Sequence, residues 1–155
     1  MLIELNEGEI RLAVQAGADR RIGAILNSSR EVYGKMSRGD YWGGDIEAVA
    51  AEISVAKALG MYWGPAASAA EDRAAGDLPG GIQVRHTQYA TGRLLLHDRD
   101  ADDHRFVLVV GRIPVFTVVG WIQGVDGKRQ VHWDDKLPRP TFAVGQEHLH
   151  PISSL

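Results

Sequence analysis

Residues 77–87 read Asp-Leu-Pro-Gly-Gly-Ile-Gln-Val-Arg-His-Thr, and this stretch decides the fold. Its Pro and Gly residues predict a tight turn, and the residues that follow favour a β-strand. Because side chains alternate along a strand, Ile82 and Val84 should share an apolar face. Gln83 and Arg85 should share the opposite, polar face. The pattern therefore predicts a strand with one face for the core and one for chemistry.

The segment before this strand predicts a buried helix. Residues 45–59 are rich in alanine, with Asp45 as a candidate N-cap and Gly60 at the usual C-terminal position. The predicted helix is apolar around nearly its whole circumference, so it should pack against the apolar face of the strand. Glu52 lies within that apolar surface, and a buried carboxylate must be paired, protonated or bound to a metal.

The rest of the chain predicts one further long helix and a series of strands. Residues 7–26 have helical apolar spacing, with Asn6 and Glu9 as a capping pair and Gly17 small enough for close packing. Strand patterns follow at residues 82–89, 93–97, 105–110, 115–122 and 141–144. We therefore expect a single mixed α/β (α+β) domain over residues 1–155, with the buried helix against a mixed central sheet.

Composition narrows the class of protein. The chain has 155 residues, 45% of them hydrophobic and 24% charged, which is typical of one globular domain. It has no cysteine, no apolar run of membrane-spanning length and an acidic start, so we expect a cytoplasmic protein without membrane contact. The net charge of −3 argues against bulk attraction to polyanions, so nucleic-acid contact would need a local basic face.

One stretch supplies such a face. Residues 28–44 predict an irregular connection in which Arg30, Lys35 and Arg38 are interleaved with aromatic residues. Basic and aromatic side chains together can contact a nucleic-acid backbone and stack on bases, and we add Arg93 to this predicted binding set. The alternative is an ordered surface loop whose aromatic residues cover the core.

Four residues carry a resemblance to a known family. Glu52 on the predicted helix, Asp77 on the turn, and Gln83-Val84-Arg85 on the strand resemble the motif of the PD-(D/E)XK nucleases, which have the restriction-endonuclease-like fold. The resemblance covers a core of about residues 45–122, with the N-terminal helix as an addition and residues 123–155 as an irregular extension. The whole chain also resembles small phage-encoded proteins of unassigned role.

The resemblance implies a function. It implies that Glu52, Asp77 and Gln83 hold Mg²⁺ or Mn²⁺, with Arg85 as the cation that stabilises phosphate charge, and that the protein hydrolyses phosphodiesters in DNA. Two departures from the family pattern imply weak or degenerate activity. Gln83 stands where the family has an acid, and Arg85 stands where it has a Lys that can give up its proton.

Two alternatives follow from the same residues. Glu52 could pair with Arg85 across the contact between helix and strand, while Asp77 is an ordinary turn residue. Separately, the same fold could belong to a non-catalytic binding or inhibitor protein that engages a host or defence protein. A catalytic site should bring the four residues to one accessible cleft, whereas a binding protein should have them sealed or paired with each other.

Overall fold

The computed structural model describes residues 1–26, 38–65 and 76–155. Two long helices in the N-terminal half are followed by a mainly β C-terminal half. The helices are α1 (Glu7–Leu26), α2 (Arg38–Ala58) and the short α3 (Gly124–Gly127). The strands are β1 (Leu2–Glu4), β2 (Ile82–Thr87), β3 (Leu94–Leu96), β4 (Arg105–Arg112), β5 (Val115–Gln123), β6 (Trp133–Asp134) and β7 (Thr141–Val144).

The strands form two sheets. The central sheet has four strands in the order β1-β5-β4-β2, in which β2 runs parallel to β4 and the other pairs are antiparallel. The smaller sheet has the order β3-β7-β6 and is antiparallel. Between β2 and β4 the chain passes through the smaller sheet, and this excursion allows two strands so close in sequence to be parallel. The predicted mixed α/β class with a mixed sheet is confirmed.

The central sheet divides the core into two halves. Along β4, Val107 and Val109 lie on the face that packs against the helices. Phe106 and Leu108, which alternate with them, lie on the face that packs against the smaller sheet. The layers are therefore helices, central sheet and small sheet, and β4 is buried on both faces, as its nearly continuous apolar sequence predicts.

The two long helices pack very closely. A Cβ atom added to Gly17 would lie 2.7 Å from the Cα atom of Ile46, so this contact requires a glycine. The predicted capping pair of α1 is confirmed, because the backbone N–H of Glu9 donates to the side chain of Asn6 at 3.0 Å and that of Asn6 donates to Glu9 at 2.7 Å.

Helix α2 begins earlier than the sequence predicts. Residues 38–44 were predicted to be irregular, yet they are helical, and Asp45 lies inside the helix instead of capping it. The reason is tertiary contact with α1. Arg21 pairs with Asp45 at 2.7 Å and lies over the ring of Tyr41, which is buried. These contacts outweigh the low helix propensity of Gly43 and Gly44.

The C-terminal region is part of the fold, although the sequence predicts an irregular extension. The predicted strand at Thr141–Val144 is confirmed, and it pairs with β3 at the centre of the small sheet. Strands β1 and β6 were not predicted, because segments of three and two residues are too short for their periodicity to be recognised. Among the described helices, none is long and apolar enough to cross a membrane.

A pair of glycine substitutions tests the helix packing and the start of α2. Gly17→Ala should destabilise the protein by about 1–3 kcal/mol, because its methyl group would overlap the backbone of Ile46. Gly44→Ala should stabilise it by about 0.5–1 kcal/mol, since nothing lies within 4 Å of the added Cβ atom and alanine favours a helix. Urea unfolding measures both. A destabilising Gly44→Ala would contradict a helix at this position.

Candidate functional site

The turn before β2 positions Asp77. Gly76 has φ +90°, and a Cβ atom there would lie 2.8 Å from the carbonyl oxygen of Ile82, so this position requires glycine. The turn is closed by the backbone N–H of Leu78, which donates to Ile82 at 3.1 Å. Oδ2 of Asp77 then accepts the N–H of Val84 at 2.7 Å. Because β2 is an edge strand, Asp77 satisfies a backbone donor that would otherwise be open for pairing.

Among the described residues, Glu52 has Arg20 and Trp63 as its hydrogen-bond partners. The residue is 4% exposed. Arg20 donates to both carboxylate oxygens, from Nη1 to Oε1 at 2.6 Å and from Nη2 to Oε2 at 2.8 Å. The indole Nε1 of Trp63 donates to Oε2 at 3.2 Å. The sequence analysis therefore identified Glu52 correctly as a buried carboxylate, and the structure pairs it with Arg20.

Electrostatics link this pair to Asp77. Burial raises the pKa of Glu52 above its ordinary value, and the hydrogen bonds from Arg20 offset only part of that rise. The negative charge of Asp77 raises the pKa of Glu52 further. Arg20 has a raised pKa, caused first by its hydrogen bonds to Glu52 and also by the charge of Asp77. Arg20 and Asp77 therefore act on the pKa of Glu52 in opposite directions.

Gln83 and Arg85 lie on the other face of the central sheet. In the parallel register, Gln83 is opposite Phe106 and Arg85 is opposite Leu108, and both partners belong to the core half beneath the small sheet. Gln83 Nε2 is 3.3 Å from Nδ1 of His104.

Arg85 is held within that same core half. Its guanidinium lies 5.1 Å from the ring centroid of Phe106, and its Nη2 is 3.3 Å from Oδ1 of Asp100. The alternation predicted for β2 is thus present.

This geometry corrects the expected constellation. Gln83 and Arg85 do not join Glu52, because the sheet lies between, whereas Asp77 lies at the edge of that sheet and accepts the N–H of Val84. The reason is that Ile82 and Val84 pack on the helices, so the residues that alternate with them must face away from Glu52. The alternative pairing of Glu52 with Arg85 is wrong for the same reason.

The predicted metal ligands do not fit one coordination sphere in this arrangement. Both oxygens of Glu52 accept hydrogen bonds from Arg20, Oδ2 of Asp77 accepts a backbone N–H, and Gln83 lies across the sheet. Within residues 1–26, 38–65 and 76–155, no group of three or more His, Asp or Glu side chains is placed to hold a metal. Binding of Mg²⁺ or Mn²⁺ stays a prediction of the sequence.

A different site lies on the face that carries Arg85. It is a groove of about 830 Å³, which we call the arginine groove. Four arginines and one aspartate are among its lining residues, together with aromatic and apolar side chains. The charged and aromatic members used below are Arg85, Arg93, Arg99, Arg139, Asp100 and Tyr89.

Ion pairs orient two of the arginines. Arg85 is held by Asp100, which also accepts the backbone N–H of His97 at 2.9 Å. Arg93 pairs with Asp134 at 2.7 Å, and this hydrogen bond is the main cause of the lowered pKa of Asp134. Arg99 is an exposed residue of the same lining. Positive charge is thus concentrated in a concave site of a protein whose net charge is −3.

The predicted nucleic-acid-binding set is only partly described. Arg93 lies in the arginine groove, and its binding of nucleic acid stays a prediction. Arg30 and Lys35 fall outside the described residues, and Arg38 is the first residue of α2. The sequence analysis missed Arg99 and Arg139. Their separation along the chain hides their proximity, since no local motif connects residues from two different loops.

Comparisons of the chain with protein-family models, with curated proteins and with solved structures find no match. The resemblance to the PD-(D/E)XK nucleases therefore rests on the motif residues themselves. Glu52 lies in the helical layer, Asp77 lies at the edge of the central sheet, and Gln83 and Arg85 lie on the sheet face opposite the helices. The arginine groove is described by its geometry alone.

Removing Arg20 should show that Glu52 belongs to a structural ion pair. Arg20→Met leaves a buried carboxylate without its counter-charge and should destabilise the protein by about 3 kcal/mol. The double variant with Glu52→Leu should recover most of that loss, because neither charge then remains. Urea unfolding of wild type, Arg20→Met, Glu52→Leu and the double variant gives the coupling energy. If the double variant is as unstable as Arg20→Met, Glu52 does not depend on Arg20.

The pH dependence of Arg20→Met provides an independent check. Without Arg20, the pKa of Glu52 should rise further above its ordinary value of 4.5. The folded state then binds a proton that the unfolded state does not, so its stability should increase as the pH falls from 7 towards 4.5. The difference from wild type, measured at each pH, isolates this group. Arg11→Met removes an exposed pair with Glu7 and should show no such trend.

Proposed function

We propose that this protein binds nucleic acid, DNA in the first instance, through the arginine groove and that it does so without cleaving it. The observation that carries the proposal is the lining of the groove, in which four arginines converge on one concave surface while two aspartates, Asp100 and Asp134, pair with Arg85 and Arg93. Guanidinium groups match phosphate geometry and are the usual choice for recognising a nucleic-acid backbone. The remainder of an acidic protein does not favour a polyanion, so binding would depend on this local charge.

The partners of Glu52 support the non-catalytic part of the proposal. A carboxylate that accepts two hydrogen bonds from Arg20 and one from Trp63 has no strong need of a metal ion. Metal-dependent hydrolysis, which the nuclease resemblance implies, would need Arg20 to move and Gln83 to be replaced as a ligand. We would expect this pairing of Glu52 with Arg20 in a phage or mobile-element protein that retained a nuclease-like fold for binding alone.

A second function is supported by the same pairing. The sealed Glu52–Arg20 pair is also what we expect of an inhibitor that engages a host or defence protein and contacts no DNA. The two functions differ in one measurable respect. Nucleic-acid binding through phosphates releases counterions, so the affinity must fall steeply with salt concentration.

Labelled DNA provides the test of the groove. Binding measured by fluorescence anisotropy should weaken linearly on a log–log plot against salt concentration, with a slope of about −0.7 to −0.9 per phosphate contact. Arg99→Ala should lower the affinity and reduce the magnitude of the slope by about 1, because it removes one cation from the groove. Arg11→Ala, which removes the same charge from an exposed position on α1, should leave both unchanged.

Two outcomes would contradict the proposal. If wild type shows no binding at low salt, or if Arg11→Ala weakens binding as much as Arg99→Ala, the groove is not the binding site. If Mn²⁺ raises the melting temperature and supports DNA cleavage, and Asp77→Ala abolishes both, the nuclease function holds and the non-catalytic proposal is wrong.

A further inference from the structure

The arginine groove has dimensions that distinguish between forms of nucleic acid. At about 830 Å³ it falls in the size range of pockets that enclose a small ligand, which corresponds to one or a few nucleotides. Its lining includes Leu108, a 1% exposed residue of the core between the sheets, so the groove lies directly over that core. A duplex keeps its bases stacked inside and could place only its phosphates against such a groove.

The lining of the groove offers surfaces for bases as well as for phosphates. Tyr89 lines the groove and is 66% exposed, so its ring is available for stacking. Leu95 and Pro138 add apolar surface, and His97 is fixed by Thr141, whose hydroxyl oxygen is 3.1 Å from Nδ1 of the ring. Aromatic rings beside a cationic track are the usual means of holding single strands, because every base has a face on which a ring can stack.

We infer that the arginine groove binds single-stranded nucleic acid in preference to duplex, with bases against Tyr89 and phosphates against Arg93 and Arg99. This inference rests on the proposed function. It specifies that the nucleic acid is single-stranded and assigns the binding of bases to Tyr89. Phosphate contacts alone would not distinguish a single strand from a duplex, because both carry phosphates. The preference for the single strand must therefore come from unstacked bases that enter the groove.

The experiment compares one oligonucleotide with its own duplex. Full-length protein is titrated at low salt into a labelled mixed-sequence strand, alone and annealed to its complement. We expect the single strand to bind at least about 10-fold more tightly. Tyr89→Leu should weaken binding of the single strand by about 5- to 150-fold, the range measured for loss of one stacked base, and should change duplex binding little.

A matched variant guards against a general effect of losing a tyrosine. Tyr62 is 87% exposed, follows α2 and does not line the groove, so Tyr62→Leu should bind both forms as wild type does. Equal affinity for both forms, with the loss on Arg99→Ala retained, would overturn the inference and leave the proposed function standing. Absence of binding to either form would overturn both. Equal losses in Tyr89→Leu and Tyr62→Leu would overturn the role of Tyr89.

Discussion

The alternation of side chains along β2 determines which chemistry can occur together in this protein. Ile82 and Val84 must pack on the helices, so Gln83 and Arg85, which alternate with them, face the small sheet. Glu52, which belongs to a helix, is thereby confined to the other side. The strand thus separates the Glu52–Arg20 ion pair from the arginine groove. The first serves the helical core, and the second provides the concave basic surface on which our proposal depends.

The sequence predicted much of the fold because its signals there are local. The capping pair of Asn6 and Glu9, the strand at residues 82–87 and the buried carboxylate of Glu52 all follow from spacing within one element. The partner of Glu52 could not be predicted in the same way. Arg20 and Arg85 are both arginines that could reach a buried carboxylate, and only the packing of the helices selects the former.

The site was harder to predict than the fold for a physical reason. A motif of four residues specifies their order along the chain but not the face on which each side chain lies. Gln83 and Arg85 follow Asp77 closely in sequence, yet the turn at Gly76 places the acid against the N–H of Val84 at the edge of β2, while alternation turns the other two towards the small sheet. The arginine groove needs Arg99 and Arg139 from separate loops, and no sequence period connects them.

The most direct test of this account is a ¹H–¹⁵N spectrum of the protein recorded while a short single strand is added. The indole N–H of Trp63 donates to Glu52 and reports on the Glu52–Arg20 pair, whereas the backbone amides of Arg93 and Arg99 report on the groove. The account predicts that the groove amides shift with added strand while the Trp63 indole signal stays in place. A shift of the Trp63 signal with unchanged groove amides would contradict it.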